Sequence, residues 1–176
     1  MIISRATLAD IPRLIQFRTD AAAWLAAQGS DQWSTAYPVE LLRDSIEANT
    51  VYLIREPGTD DPRATVTLDG LADPLLWHET ESAEPALYVH KLTLATPGGG
   101  SGLGAQILDW CGDRAARTGR TWLRLDAWSS NPALHAYYQQ LGFAHVRTVD
   151  DPGAYGSGWV AQRPAVQCAT QFVLDL

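Results

Sequence analysis

Apolar residues recur at three- and four-residue intervals in some stretches of this chain and at alternate positions in others. Leu8, Ile11, Leu14, Ile15 and Phe17 begin a helical stripe that reaches about Ala27, opened by Thr7 with Asp10 three residues on and closed by Gly29. A second helix is predicted after Pro38, over Val39–Glu47. Leu103, Ile107, Leu108 and Cys111 mark a third that runs to Thr118, and Asn131–Pro132 opens a fourth that stops at Leu141–Gly142. Alternation predicts strands at Met1–Arg5, Val51–Arg55 and Ala64–Leu71, the last two joined by the turn-rich Glu56–Arg63. Further strands are predicted at Leu87–Leu94, Trp122–Ala127, Phe143–Val149 and Ala165–Asp175, with a Gly- and Pro-rich loop running up to Pro164. The outcome is one α/β (α+β) domain over residues 1–176, its strands first antiparallel and later separated by helices.

The strand at Leu87–Leu94 breaks its own rhythm. Leu87 and Val89 share one parity, whereas Leu92 and Leu94 share the other. A one-residue slip of this kind marks a β-bulge, which turns backbone N–H groups away from the neighbouring strand. Burial of the strand on both faces is the alternative. Directly after it, Gly98, Gly99, Gly100, Gly102 and Gly104 are interrupted only by Ser101 and Leu103 before the third helix opens. Strand, glycine turn and helix N-terminus together aim amides and the positive end of a helix dipole at one point, which suits an anion. A flexible surface loop is the plain reading of the same glycines.

Charge changes the picture in one direction. The formal net charge is −7, and Lys91 is the sole lysine beside twelve arginines. No basic stripe is present for binding nucleic acid, while a cationic small substrate suits the acidic balance. Cys111 and Cys168 have no metal spacing and read as small buried hydrophobes. No apolar run nears the roughly 20 residues of a membrane span, and the first ten residues lack a basic segment followed by an apolar core. A cytoplasmic protein without a membrane partner is expected.

Two motifs together resemble one family. Ser101-Gly-Leu-Gly104 is similar to the second half of the pyrophosphate loop of GNAT acetyltransferases, and Asn131-Pro-Ala-Leu-His-Ala-Tyr-Tyr138-Gln-Gln-Leu-Gly-Phe143 to that family's later helix and turn. The resemblance implies a mixed, mostly antiparallel sheet of about seven strands with a splayed fourth and fifth pair, and about four helices. It implies acetyl-CoA as co-substrate, no metal, and a primary amine of a small molecule or peptide as acceptor, in a monomer or homodimer. On that likeness the N–H of Leu92 faces the thioester oxygen and Leu94 pairs with the pantetheine arm. Gly99, Gly100, Ser101, Gly102, Leu103 and Gly104 cradle the pyrophosphate, with Ala105 in the first helical turn. Asn131 lies beside the pantetheine or simply caps its helix.

Tyr138 matches the tyrosine that protonates the departing thiolate. The family's usual glutamate falls on Tyr88, so the base is open: His90, with an ordinary pKa of about 6.5, competes with Asp126, Glu84 and a water chain. Asp126 and Trp128 are placed to hold the acceptor's ammonium. Trp24, Gln28, Trp33 and Tyr37, with Asp31 and Gln32, form an aromatic and polar cluster suited to a cation with apolar bulk, or staple the first helices to the sheet. Gly99 stands where the family carries arginine or glutamine, which weakens the grip on the pyrophosphate.

Three rival readings remain. The same fold serves as a non-catalytic acyl-CoA sensor or partner subunit, or transfers a longer acyl or an aminoacyl group. Gly100-Ser-Gly-Leu-Gly-Ala105 also fits a dinucleotide turn with Asp126 as the ribose acid, as in an oxidoreductase, although that fold places its glycine turn after the first strand of a parallel sheet.

Overall fold

The structure, a computed structural model, describes residues 1–36, 38–96, 102–152, 156–170 and 172–175, the last of these by its backbone alone. Among the described residues, eight strands and five α-helices follow one another. They are β1 (Ile2–Arg5), α1 (Ile11–Ala27), α2 (Val39–Glu47), β2 (Val51–Arg55), β3 (Ala64–Asp69), α3 (Glu79–Ser82), β4 (Ala86–Leu94), α4 (Leu103–Arg117), β5 (Trp122–Ala127), α5 (Pro132–Gln140), β6 (Ala144–Thr148), β7 (Trp159–Pro164) and β8 (Val173–Asp175). The α/β class with mixed strand directions is as read from the sequence, with one strand and one helix more than expected.

Two compact units divide these elements. Met1–Leu68, Lys91–Ile107 and Gln171–Leu176 make one, Asp69–His90 and Leu108–Thr170 the other. In the first, β2 pairs antiparallel with both β1 and β3, and β8 joins β1 in parallel. Its core gathers Leu14 and Phe17 from α1, Leu42 and Ile46 from α2, and Val51 and Leu53 from β2, the apolar stripes that the helical periodicity marked. The Thr7–Asp10 capping box forms, with Asp10 Oδ2 accepting from the Thr7 backbone N–H at 2.7 Å, although one 3₁₀ turn precedes α1.

The second unit is built on β5. Its Trp122–Leu125 run pairs in parallel with Ala86–Val89 of β4, and Trp122–Ala127 pairs antiparallel with β7, which in turn pairs with β6. Leu76, Trp77, Ala86, Tyr88 and Val160 form its core cluster. Here the sequence reading needs two corrections. The expected loop before Pro164 contains β7, and the expected closing strand over Ala165–Asp175 shrinks to Val173–Asp175. Trp159, Val160 and Ala161 are buried consecutively, so both faces of β7 are covered there and no alternation was available to betray it. With the strand so displaced, Cys168 is exposed rather than buried, while Cys111 is buried as expected.

The slip in β4 is real. Lys91 has φ +54°, a left-handed residue in the middle of a nine-residue strand. Pairing with β5 stops just before it, at Val89↔Leu125, while β5 stays paired to β7 for two residues more. Left-handed backbone costs an L-residue about 1–2 kcal/mol, of which glycine's extra chain entropy returns part. Lys91→Gly is therefore expected to raise stability by at most ~1 kcal/mol, and Lys91→Val to lower it by ~1–2 kcal/mol. Urea midpoints measure both, and a valine variant as stable as the parent would mean a strand without the kink.

Candidate active site

His90 is the last residue of β4 before the kink and meets a carboxylate at each ring nitrogen. Nε2 lies 3.5 Å from Asp69 Oδ1, at the end of β3, and Nδ1 lies 3.5 Å from Asp126 Oδ1, near the end of β5. The side chains are 23 %, 16 % and 20 % exposed respectively, so the cluster reaches water without being dissolved in it. Burial by itself lowers the His90 pKa, but the hydrogen bonds to Asp126 and Asp69 and their charges outweigh it and push the pKa up to about 9. At neutral pH the ring is therefore an imidazolium. The sequence offered His90 as a base with its ordinary pKa; two neighbours from other strands move it out of that range.

Tyr88, two residues earlier on the same face, is buried and lies near-parallel to His90 at 6.5 Å between centroids. Its hydroxyl accepts from Arg124 Nη1 at 3.1 Å. Arg124 is wholly buried, donates also to the Glu81 carbonyl and Gln162, and pairs with Glu84. Glu84, a competing base on sequence grounds, is thus committed to a buried guanidinium. Nothing in the sequence reading named Arg124 or Asp69. An arginine between two leucines of a strand that burial would favour was a legible sign of an internal ion pair; Asp69 carried none.

Tyr138 is buried on the inner face of α5, 5.8 Å from Phe143 and 6.4 Å from Trp159 between ring centroids. Burial first, then the charges of Tyr137 and Asp126, push its phenol above the usual tyrosine range. The phenol therefore keeps its proton in neutral and mildly alkaline solution. Asn131 caps α5, its Oδ1 accepting from the Leu134 N–H at 3.0 Å, and Pro132 occupies the first helical position. His135 Nε2 donates to the Trp128 carbonyl (2.8 Å) and the ring stacks on Trp159, on which His145 also stacks. The Trp128 ring lies so close to Gly156 that a Cβ there would sit 2.5 Å from it.

In the first unit, Leu92 and Leu94 follow the kink, and Gly102 (φ +69°) leads into α4 through Leu103, Gly104 and Ala105. Trp24 is exposed, Gln28 also, and Trp33 lies under the Arg18 guanidinium at 4.4 Å. Tyr37, Gly99, Gly100 and Ser101 lie outside the described residues. Among the described residues no group of three or more His, Cys, Asp or Glu side chains is placed to hold a metal, and no helix is long and apolar enough to cross a membrane.

No family model matches the chain. It is 30% identical over 145 residues to the uncharacterised N-acetyltransferase YesJ of Bacillus subtilis, a match covering 78% of this chain and 75% of that protein. The chain belongs to the GNAT N-acetyltransferases. Solved members share the fold at lower identity. A GNAT-family acetyltransferase of Listeria monocytogenes superposes with TM-score 0.75 at 21% identity, over 93% of this chain and 94% of its own. Salmonella typhimurium yncA, solved with its cofactor acetyl-CoA, does so with TM-score 0.63 at 17% identity, over 97% and 96%. Membership in the GNAT family disposes of the dinucleotide reading, and so does the order of strands: the glycine turn here follows β4, and β1, β2 and β3 pair antiparallel.

Proposed function

We propose that the protein moves the acetyl group of acetyl-CoA to a primary amine of a small molecule or peptide, by direct attack with both substrates bound. The kink at Lys91 carries this reading. It follows directly on the end of the pairing of β4 with β5, so that Leu92 and Leu94 beyond it have no place in that register. A pantetheine arm, with its amide groups, pairs as a strand does.

Acetyl-CoA supplies the activated acyl carbon and a thiol leaving group. The chain supplies the rest. The Leu92 N–H donates to the oxygen on which negative charge develops. Gly99 to Gly104 and Ala105, at the head of α4, hold the pyrophosphate through backbone N–H groups and the helix dipole, which explains how Gly99 substitutes for a longer side chain. Asp126 binds the acceptor's ammonium, with Trp128 nearby on the same strand end. His90, in the fraction that is neutral, takes the proton. A base of pKa about 9 matches an alkylammonium far better than an ordinary histidine does, so the reaction runs faster in mildly alkaline solution. As the new C–N bond forms and the C–S bond breaks, Tyr138 gives its proton to the sulfur, and the second proton shed by the acceptor nitrogen as it becomes an amide returns to the phenol. Trp24, Gln28, Trp33 and Tyr37 select the acceptor's apolar part.

The test is thiol release from acetyl-CoA across a panel of primary amines between pH 7 and 9.5, with the acetylated product identified by mass. Amine-dependent release that grows with pH is expected. Release no faster than buffer hydrolysis with every amine, in a protein that still binds acetyl-CoA, would leave an acyl-CoA sensor.

A further inference from the structure

Asp69 has no part in the reading above, yet it touches the same ring as Asp126 from the opposite nitrogen. A neutral histidine carries one N–H, so it can donate to only one of two flanking carboxylates. Which one decides where the ring can accept. Asp69 Oδ1 is the better-anchored partner, because it also accepts from the Leu71 backbone N–H at 2.9 Å, a bond that fixes the carboxylate in the turn after β3. Asp126 sits on the other side of the ring, near the end of β5.

We propose that Asp69 is a positioning residue that takes the Nε2–H of His90 and so leaves Nδ1, facing Asp126, as the nitrogen that receives the acceptor amine's proton. The proposal rests on the acetyltransferase reading. The proton passes from the ammonium through the Asp126 carboxylate to Nδ1, giving a neutral amine ready to attack and an imidazolium held by two carboxylates. When product leaves, Nδ1 returns its proton to water. The charged or titratable groups around the ring are Asp69 from β3, Asp126 from β5, and Tyr88 and Lys91 on its own strand; Tyr138 of α5 acts on the cluster through Asp126. Among the described residues, the groups at the ring nitrogens are the two aspartates. The raised pKa agrees with this arrangement, since a carboxylate at each nitrogen favours the doubly protonated ring.

The experiment follows the His90 side-chain nitrogens by NMR between pH 5 and 10.5 in the wild type, Asp69→Asn and Asp69→Glu, with the pH profile of kcat/KM for the best amine alongside. Asparagine keeps an oxygen for the Leu71 N–H, so the turn is retained. In the wild type the titration falls near 9 and the neutral form carries its proton on Nε2. In Asp69→Asn the titration and the rising limb of kcat/KM both move to lower pH by roughly one unit or more. The neutral form becomes a mixture of tautomers, and the plateau rate drops by about tenfold. Asp69→Glu restores part of each. A wild-type neutral ring protonated on Nδ1, or a titration unmoved in Asp69→Asn, overturns the assignment. The nitrogen spectra need no substrate, so a protein that acetylates nothing while showing the Nε2–H form would defeat the transferase reading and leave the Asp69 contact standing.

Discussion

Tyr138→Phe is expected to lower kcat by about 10²- to 10³-fold, the usual worth of a positioned proton donor, while acetyl-CoA affinity changes by less than about threefold. The substitution is clean. Tyr138 is 8 % exposed, and its ring is held by Phe143 and Trp159, contacts that a phenyl ring keeps. Burial and the neighbouring Tyr137 and Asp126 charges hold the phenol protonated, so the wild-type rate shows no falling limb from Tyr138 ionisation in the working range. The same shift makes the phenol a weaker acid than free tyrosine. It cannot protonate a thiolate of pKa about 8.5 in a separate step at little cost, so its proton must move as the C–S bond breaks. Loss should therefore be graded by leaving group: acyl donors with more acidic thiols suffer less in Tyr138→Phe than acetyl-CoA does. Steady-state kinetics with two donors, beside an equilibrium binding measurement, reads both. A kcat within threefold of wild type would remove Tyr138 from the chemistry.

Local features were legible wherever the chain's own periodicity carried them. The parity slip between Val89 and Leu92 located the left-handed Lys91 to within two residues, because a strand's alternation records its backbone directly. Asn131–Pro132 opened α5 because capping is decided by immediate neighbours. β7 was hidden for the opposite reason. A strand covered on both faces buries consecutive residues, as Trp159, Val160 and Ala161 are, and the glycines and prolines before it looked like the whole of a loop. The His90 cluster was half legible. His90 and Asp126 were named, but the second carboxylate at the ring, Asp69, lies 21 positions before His90 and reaches it only in the folded chain. The ordinary histidine pKa assumed from sequence was the value of a solvated ring. Of the residues expected to select the acceptor, Trp24 and Gln28 are exposed and Trp33 lies under Arg18, whereas Tyr37 and the first part of the glycine loop, through Ser101, lie outside the described residues.

Arg124→Leu is expected to cost about 3–5 kcal/mol, a Tm lower by roughly 10 °C for a chain of this size. Leucine matches the apolar body of the side chain but none of its donors. In the native protein Arg124 is fully buried and donates to Gln162 Oε1 at 2.9 Å, the Glu81 carbonyl at 2.6 Å and the Tyr88 hydroxyl at 3.1 Å, with its guanidinium 4.7 Å above the Trp77 ring. Those acceptors stay behind when the arginine goes, which is why a replacement that can be harmless for an isolated buried ion pair is not harmless here. Glu84 matters less. Its side chain is 48 % exposed and returns to water, so Glu84→Gln should cost no more than about 1 kcal/mol. Arg124→Lys falls between, since one ammonium cannot reach acceptors spread over Tyr88, Gln162 and Glu81. Activity should follow stability only in part. Tyr88 packs along His90, and releasing its hydroxyl from Arg124 loosens the ring that the two aspartates orient, so the His90 titration should broaden in Arg124→Lys at temperatures where the protein is still folded. Thermal melts and the His90 nitrogen spectra together separate the two effects. If Arg124→Leu melts with the wild type, the guanidinium's contacts are not what holds the second unit's core, and Trp77 with Val160 must hold it unaided.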